Sequence, residues 1–476
     1  MPLRQAEKTM SKSYELDMTS GSILKKLVFY CIPIILTNII QNLFHSADIL
    51  ILGFFTNDNA VAAVGANASL INLIVGLFVG ISSGANVIVA RYLGRGDKEA
   101  VRRTVGMSVA LSLIAGVILL AVGVIFARTF HILLNCQPEY LDMATTYLTV
   151  YFLGMPIMML YNFAASVMRA SGDTLRPLLF LIFGGVLNIG GNVFFIKVLN
   201  MDVEGVAIST IISQGVSAVL CVFVLAKSNG VCKLEWKYLK IYKKEFREVM
   251  VVGLPSGLQG MAFSLTNVVI TSTVNKLNAM AGYTLGGQFD SIVYNTGYGV
   301  ALGTMSFVSQ NYGAGNLDRI KKTVFTALGF CLVVSLAVGT LMYFVADPIC
   351  ALTSDTPEVI AEAKSRLSMM CFTYWLCSFM EIFSFSLRAL GKSIISFVVC
   401  FIGACVFRIT WISVLMNFWP TMLMVYLCWP ISWVMTSATL AVMLIMQIKK
   451  IYAKKREAEN AFLKAESLSQ ETRKAV

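Results

Sequence analysis

The segment LKKLVFYCIPIILTNIIQNLFHSADILILGFF (24–55) is longer than the roughly 20 residues needed to cross a hydrocarbon core, and it is mostly Ile, Leu, Phe, Val and Tyr. It nevertheless carries Asn38, Gln41, Asn42, His45 and Asp48. At about 100° of helix per residue these five fall within one arc of roughly 120°. A carboxylate in lipid is costly, so such groups face a water-filled cavity or a polar partner inside a bundle. Asp48 is therefore the first functional candidate, and a capped helix end near the headgroups is the structural alternative.

The rest of the chain extends that pattern. Of its 476 residues, 57% are hydrophobic and 13% charged, against about 25% charged in a soluble domain. Mean hydropathy is +0.74. Twelve apolar spans are predicted, at 25–55, 61–90, 104–127, 140–168, 175–198 and 203–226, then 247–275, 281–309, 323–346, 358–387, 393–416 and 421–446. The fold class is an all-α polytopic membrane protein, because a bilayer forces backbone groups to pair within helices. Around two six-helix lobes, 25–226 and 247–446, lie an N-terminal tail (1–24), a basic linker (227–246) and a C-terminal tail (447–476). The tail is expected to be mobile or interfacial, and the first apolar segment is too long for a signal peptide.

The net charge of +12 raises the question of a nucleic-acid partner. With twelve spans, however, 32 of the 38 Lys and Arg fall in segments on one side. The excess of basic residues in cytoplasmic loops then places both termini in the cytoplasm and makes the charge a topology signal, with no nucleic acid implied. Arg169 and Arg388 flank the ends of spans 4 and 10 and read as anchors of that kind. The cysteines lie mostly in apolar segments without C-x-x-C spacing, which points to small hydrophobes and no metal centre.

The halves are duplicates. A shift of 219 residues lays RYLGRGDKEAVRRTV (91–105) on QNYGAGNLDRIKKTV (310–324). The same shift pairs Gly80 with Gly299, Gly84 with Gly303, Arg169-Ala170 with Arg388-Ala389, and Gly172 with Gly391. Six spans per half is even, so both halves enter the membrane in the same sense and are related by an axis along its normal. Such parallel repeats are a transporter plan with the substrate site near mid-membrane. Pro33 and Pro255 occupy similar early positions in spans 1 and 7, as hinges or as static bends.

On these residues the chain resembles the multidrug and toxic compound extrusion (MATE) family of secondary transporters. The resemblance is carried by Pro33 and Gln41, HSADILILGFF (45–55), AVGA (63–66), Gly94 with Gly96, VMRASGDTLRP (167–177), NIGGNVFFI (188–196) and SQNYGAGN (309–316). It implies two six-helix lobes in a V that alternate between inward and outward openings. Members export organic cations and other amphipathic compounds against inward flow of protons or sodium ions. One branch has a functional aspartate in helix 1, which Asp48 matches, and an aspartate in helix 5. There Asn188 matches the preceding asparagine, but Asn192 stands where the acid is expected.

The candidate sites follow. Asp48 with His45, Gln41, Asn188 and Asn192 forms the expected ion-coupling set. Its oxygens suit a proton or a hard cation such as sodium, with no other cofactor, although buried asparagines also simply tie helices together. Asn38, Asn162, Gln288, Asp290, Tyr374, Glu381 and Arg408 are the expected substrate-binding residues. An acid beside aromatics attracts an amphipathic cation, while Asp290 or Glu381 paired with Arg408 is the bland alternative. The expected partners are small amphipathic or cationic molecules and the bilayer. The two-lobe plan suits a monomer in the cytoplasmic membrane. Two other readings compete. A lipid or polyprenyl-linked flippase would favour an arginine-rich cavity, and only Arg408 reads as intramembrane. An intramembrane transferase would need paired acids in a D-x-x-D arrangement, which the sequence lacks.

Overall fold

The computed structural model describes residues 16–133, 136–353 and 356–475, and among these no strand occurs. The N-terminal half holds α1 (Ile23–Phe55), α2 (Asp58–Arg95), α3 (Lys98–Leu133), α4 (Pro138–Leu153), α5 (Met155–Ala170), α6 (Leu175–Lys197) and α7 (Val203–Lys227). A 3-10 turn, Trp236–Tyr238, precedes the second half. There follow α8 (Lys243–Lys276), α9 (Met280–Gly313), α10 (Leu317–Thr353), α11 (Pro357–Ala389), α12 (Ser393–Cys400), a π-helical turn (Phe401–Val406), α13 (Phe407–Leu415) and α14 (Met422–Ala475).

Ten helices, with α12 to α13 counted as one, are long and apolar enough to cross a membrane, and α4 with α5 makes an eleventh. The expected single span at 140–168 is instead bent by 52° at Gly154. The cause is local: Pro156 has no N–H for the Phe152 carbonyl, and Ile211 fills the space where a Cβ on Gly154 would go. The twelfth span is α9, 34 residues long, which lacks a stretch apolar enough to be counted with the others. Asp290, Thr296, Thr304, Ser306, Ser309, Gln310 and Asn311 on it are all buried. It packs against other helices rather than lipid, so it needs no continuous apolar face.

The duplication recurs in the backbone. Gly96 and Gly315 both close their helices at φ 73°, and Gly172 and Gly391 take φ 96° and 76°. Only glycine occupies that left-handed region without strain. The same pseudo-symmetry joins the lobes. Gly80 and Gly84 of α2 lie against Gly257 and Gly253 of α8, while Gly299 and Gly303 of α9 lie against Ile35 and Cys31 of α1. A Cβ at Gly80 or Gly84 would overlap the backbone of α8, the close approach that small residues permit between membrane helices. These approaches all lie in the helix halves nearest the end that carries the basic loops. The lobes are therefore joined at that basic end.

Residues 1–15 of the N-terminal tail, expected to be mobile or interfacial, lie outside the described residues, and the rest of that tail is built into this joint. In the N-terminal tail, residues 16–21 form a strap across the basic end, and Met18 is fully buried. The backbone N–H of Met18 donates to Gln310 Oε1 (3.2 Å). Its carbonyl accepts from Asn311 Nδ2 (3.1 Å) and Arg319 Nε (3.0 Å). On the other lobe, Leu16 packs over Gly172. Asp17 folds the strap back on itself. Burial pushes its carboxyl up, but hydrogen bonds from Ser20 and Thr19 and the charge of Lys26 outweigh that and hold it at about 2. The basic linker is likewise packed. Cys232 and Leu234 are buried, and Glu235 meets Arg102 of α3 at 2.8 Å. At the C-terminus α14 continues without a break from the last span to Ala475.

Candidate functional site

Asp48 sits two turns before the end of α1, only 7% exposed, and accepts a hydrogen bond from Asn192 Nδ2 at 2.6 Å. Its position inside the bundle rules out the capped-end reading. Asn188, one turn from Asn192 on α6, donates to Thr210 Oγ1 (3.2 Å). The Oδ1 atoms of Asn188 and Asn192 are buried without a hydrogen-bond partner. Buried acceptors left unpaired are costly and call for an explanation. Asp48 and Asn188 line the wall of a cavity of about 510 Å³ inside the N-terminal lobe, together with Gln41, Asn42, His45, Tyr147, Tyr151 and Asn162, and Asn192 is fully buried behind them. Gln41, Asn42, His45 and Asp48 of the arc on α1 thus face this space, and Asp48 is its single acid.

A second cavity, of about 310 Å³, lies between the lobes. Asn38, Ser82, Ser83, Asn86 and Tyr161 line it from one half, and Ser256, Tyr298 and Ser306 from the other. Gln41, Gly76, Val79, Tyr161 and Asn162 line both cavities, so the two adjoin along a shared wall. The charged residues on this second wall are Arg169 and Arg388. The expectation that both merely anchor topology gives way here: Arg388 is 6% exposed and faces the space between the lobes. The duplication was a usable signal, because equivalent ends of equivalent helices meet at the pseudo-axis.

Beneath this cavity the lobes are tied by a chain of polar contacts. Tyr30 OH donates to the Arg169 carbonyl at 2.6 Å and lies 2.9 Å from Ser306 Oγ. Ser306 Oγ donates to Asn86 Oδ1 (3.0 Å), and Asn86 Nδ2 to the Ser166 carbonyl (2.9 Å). Gln310 Nε2 donates to the Ala170 carbonyl (3.0 Å), and Arg91 to the Ala389 carbonyl (3.0 Å). The cavity floor is therefore closed at the basic end.

The substrate residues expected in the second lobe lie elsewhere. Asp290 pairs with Arg366 Nε at 2.6 Å, not with Arg408, and is 2% exposed. Arg408 donates to Ser432 Oγ (2.8 Å), and its guanidinium lies 4.1 Å from the Trp429 ring centroid. Tyr374 packs between Tyr294 and Trp433. Glu381 is 3% exposed within the lobe, where Arg388 and Arg408 supply the nearby positive charge. Gln288 is exposed. None of the five lines either cavity. An acid beside aromatics in sequence turned out to be an acid packed among aromatics in the lobe's own core. Among the described residues no cluster of His, Cys, Asp and Glu is arranged to hold a metal ion.

The MatE family model matches the chain twice, over residues 33–194 and 255–414, once per lobe. The chain belongs to the MatE family. It is a multi-pass membrane protein of the multidrug efflux transporter class, not an enzyme. The probable multidrug resistance protein YoeA of Bacillus subtilis is 23% identical over 433 residues, 88% of each chain. A protein named FAD transporter, from Shewanella oneidensis, is 22% identical over 346 residues, 71% of this chain and 76% of that one. The same fold appears in a solved multidrug resistance MATE family transporter in an outward-facing conformation. It has a TM-score of 0.85 and 22% identity, covering 91% of this chain and 98% of that one.

Proposed function

We propose that this MatE protein is an ion-coupled antiporter that exports amphipathic small molecules across the cytoplasmic membrane, with Asp48 as the coupling carboxylate. The observation that carries the reading is the buried carboxylate contacting Asn192, beside two unpartnered amide oxygens, on a cavity that adjoins the space between the lobes. Protonation neutralises Asp48 outright. Alternatively, a sodium ion would find the carboxylate and the Oδ1 atoms of Asn188 and Asn192 as hard oxygen donors. Either ion removes the penalty of enclosing a bare charge, and so biases the lobe between an open and a closed arrangement.

The basic end is the cytoplasmic one by the distribution of Lys and Arg. The arrangement described is then the one in which the export route opens outward and the inner end is shut. The two lobes enclose the route between them, and the transport unit is a monomer. The relatives named as multidrug resistance proteins support export of drug-like molecules.

The test is efflux of a fluorescent amphipath from reconstituted liposomes under an imposed proton or sodium gradient. Efflux driven by one gradient and abolished in Asp48→Asn is expected. Gradient-driven efflux that survives Asp48→Asn would move coupling to Glu381, buried inside the second lobe.

A further inference from the structure

The inter-lobe cavity carries charge of one sign. Its lining holds two arginines and no carboxylate. The duplication makes Arg169 and Arg388 equivalent, one from each lobe. Burying a guanidinium without a counter-ion is expensive, so two of them on one cavity wall point to a ligand that supplies the missing charge.

The hydrogen-bonding capacity left over has the same polarity. Arg388 Nε, Asn38 Nδ2 and Tyr161 OH are buried without a partner. All three residues line this cavity. Arg388 is more than nine-tenths buried, and no ion pair or hydrogen bond engages its guanidinium among the described residues. Its stacking partner is the Phe385 ring, with the centroid 4.3 Å away. Arg169 is partly engaged, donating to Ser166 Oγ at 2.9 Å. Glu381 lies two turns back on α11 and acts on Arg388 through its field, but it is outside the cavity wall. Unpaired donors around a forked guanidinium match a group that only accepts hydrogen bonds. A cationic head in the same place would meet two like charges. Met305, Leu302, Ile34 and Phe385 supply the apolar surface for the rest of the molecule.

We infer that this cavity binds the anionic head, a carboxylate, sulfonate or phosphate, of an amphipathic molecule, held by Arg388 and Arg169 with Asn38 and Tyr161 as further donors. This names the substrate class of the efflux route and rests on that reading for the direction of transport, though binding itself does not need it. It also departs from the expectation of an organic cation at acids of the second lobe.

The experiment compares two probes with one fluorophore, dansyl-aminohexanoate and dansylcadaverine, titrated onto the purified full-length chain in detergent with no ion gradient. The carboxylate is expected to bind more tightly than the ammonium. Arg388→Gln should weaken it by about 10- to 100-fold, the loss of one charge-assisted hydrogen bond, and Arg388→Lys should restore part of it. Arg169→Gln, which leaves Arg388 in place, should weaken it in the same direction if Arg388→Gln does not fold. Tighter binding of the ammonium by wild type, or carboxylate affinity unchanged in both glutamine variants, would overturn the inference. Short-chain phosphatidylglycerol is the second arm. Displacement of the carboxylate probe by it identifies a lipid headgroup as the anion and absence of displacement a free amphipath, and either supports an anion site. Failure of the antiport reading would show instead as gradient-independent efflux, with this equilibrium preference intact.

Discussion

Asp290→Asn separates a structural acid from a substrate-binding one. In the structure Asp290 is 2% exposed and takes Arg366 Nε at 2.6 Å. The substitution leaves a guanidinium that is 12% exposed, with the Tyr283 carbonyl at 2.8 Å and the Tyr283 ring at 3.9 Å as its remaining partners. Removing one partner of a buried ion pair costs about 3–5 kcal/mol, and the surviving Tyr283 contacts put this case near 3 kcal/mol. For a lobe of about 200 residues, at roughly 2–4 °C per kcal/mol, the unfolding midpoint should fall by about 6–12 °C. The assay is thermal unfolding in detergent followed by tryptophan emission, with probe affinity measured on the protein that remains folded. Affinity should be unchanged, because Asp290 lines neither cavity. The double substitution Asp290→Leu with Arg366→Met should recover most of the midpoint, since an apolar pair avoids the desolvation cost. An unshifted midpoint together with lost binding would refute this reasoning and return Asp290 to the substrate site.

Other perturbations probe the joint and the ion site. Gly80→Leu forces a side chain into the backbone of Gly257. An overpacking cost of about 1–3 kcal/mol should depopulate the joined state by roughly 5- to 150-fold, seen as longer distances between spin labels on the basic ends of α3 and α10. Met18→Ala empties a fully buried site in the strap and should speed amide exchange across residues 16–21 while leaving the lobe interiors protected. Asn192→Ala removes both the donor to Asp48 and a neighbouring unpartnered oxygen. If sodium couples transport, the half-saturating sodium concentration should rise by about tenfold or more. If protons do, half-saturation should come at lower proton concentration, because a donor favouring the charged form has gone.

The membrane fold was legible because each of its causes is local in sequence. Apolar length reports a span, and the shift of 219 residues reports two lobes. Even α9, the least apolar in its best stretch, reads as a span at 281–309. The helix-1 face was legible for the same reason: Gln41, His45 and Asp48 share one arc, and all three meet one cavity. Partners across helices were not. Nothing in the spacing says that Asp290 meets Arg366 rather than Arg408, since the two arginines lie on different helices at similar depth. Arg169 and Arg388 sit where positive residues ordinarily mark a membrane face. Their turn into the space between the lobes depends on how the repeats pack. The strap was hidden because its contacts are made by backbone, with Gln310, Asn311 and Arg319 reaching Met18 across nearly 300 residues.

The most direct test of the coupling claim is to record the ion itself. Wild-type and Asp48→Asn proteins are reconstituted in liposomes loaded with a pH-reporting dye, or with a sodium-reporting one, and a carboxylate amphipath is added under an imposed gradient. The account predicts that substrate addition accelerates collapse of one of the two gradients in wild type and of neither in Asp48→Asn. Substrate movement that leaves both gradients untouched in wild type would contradict it.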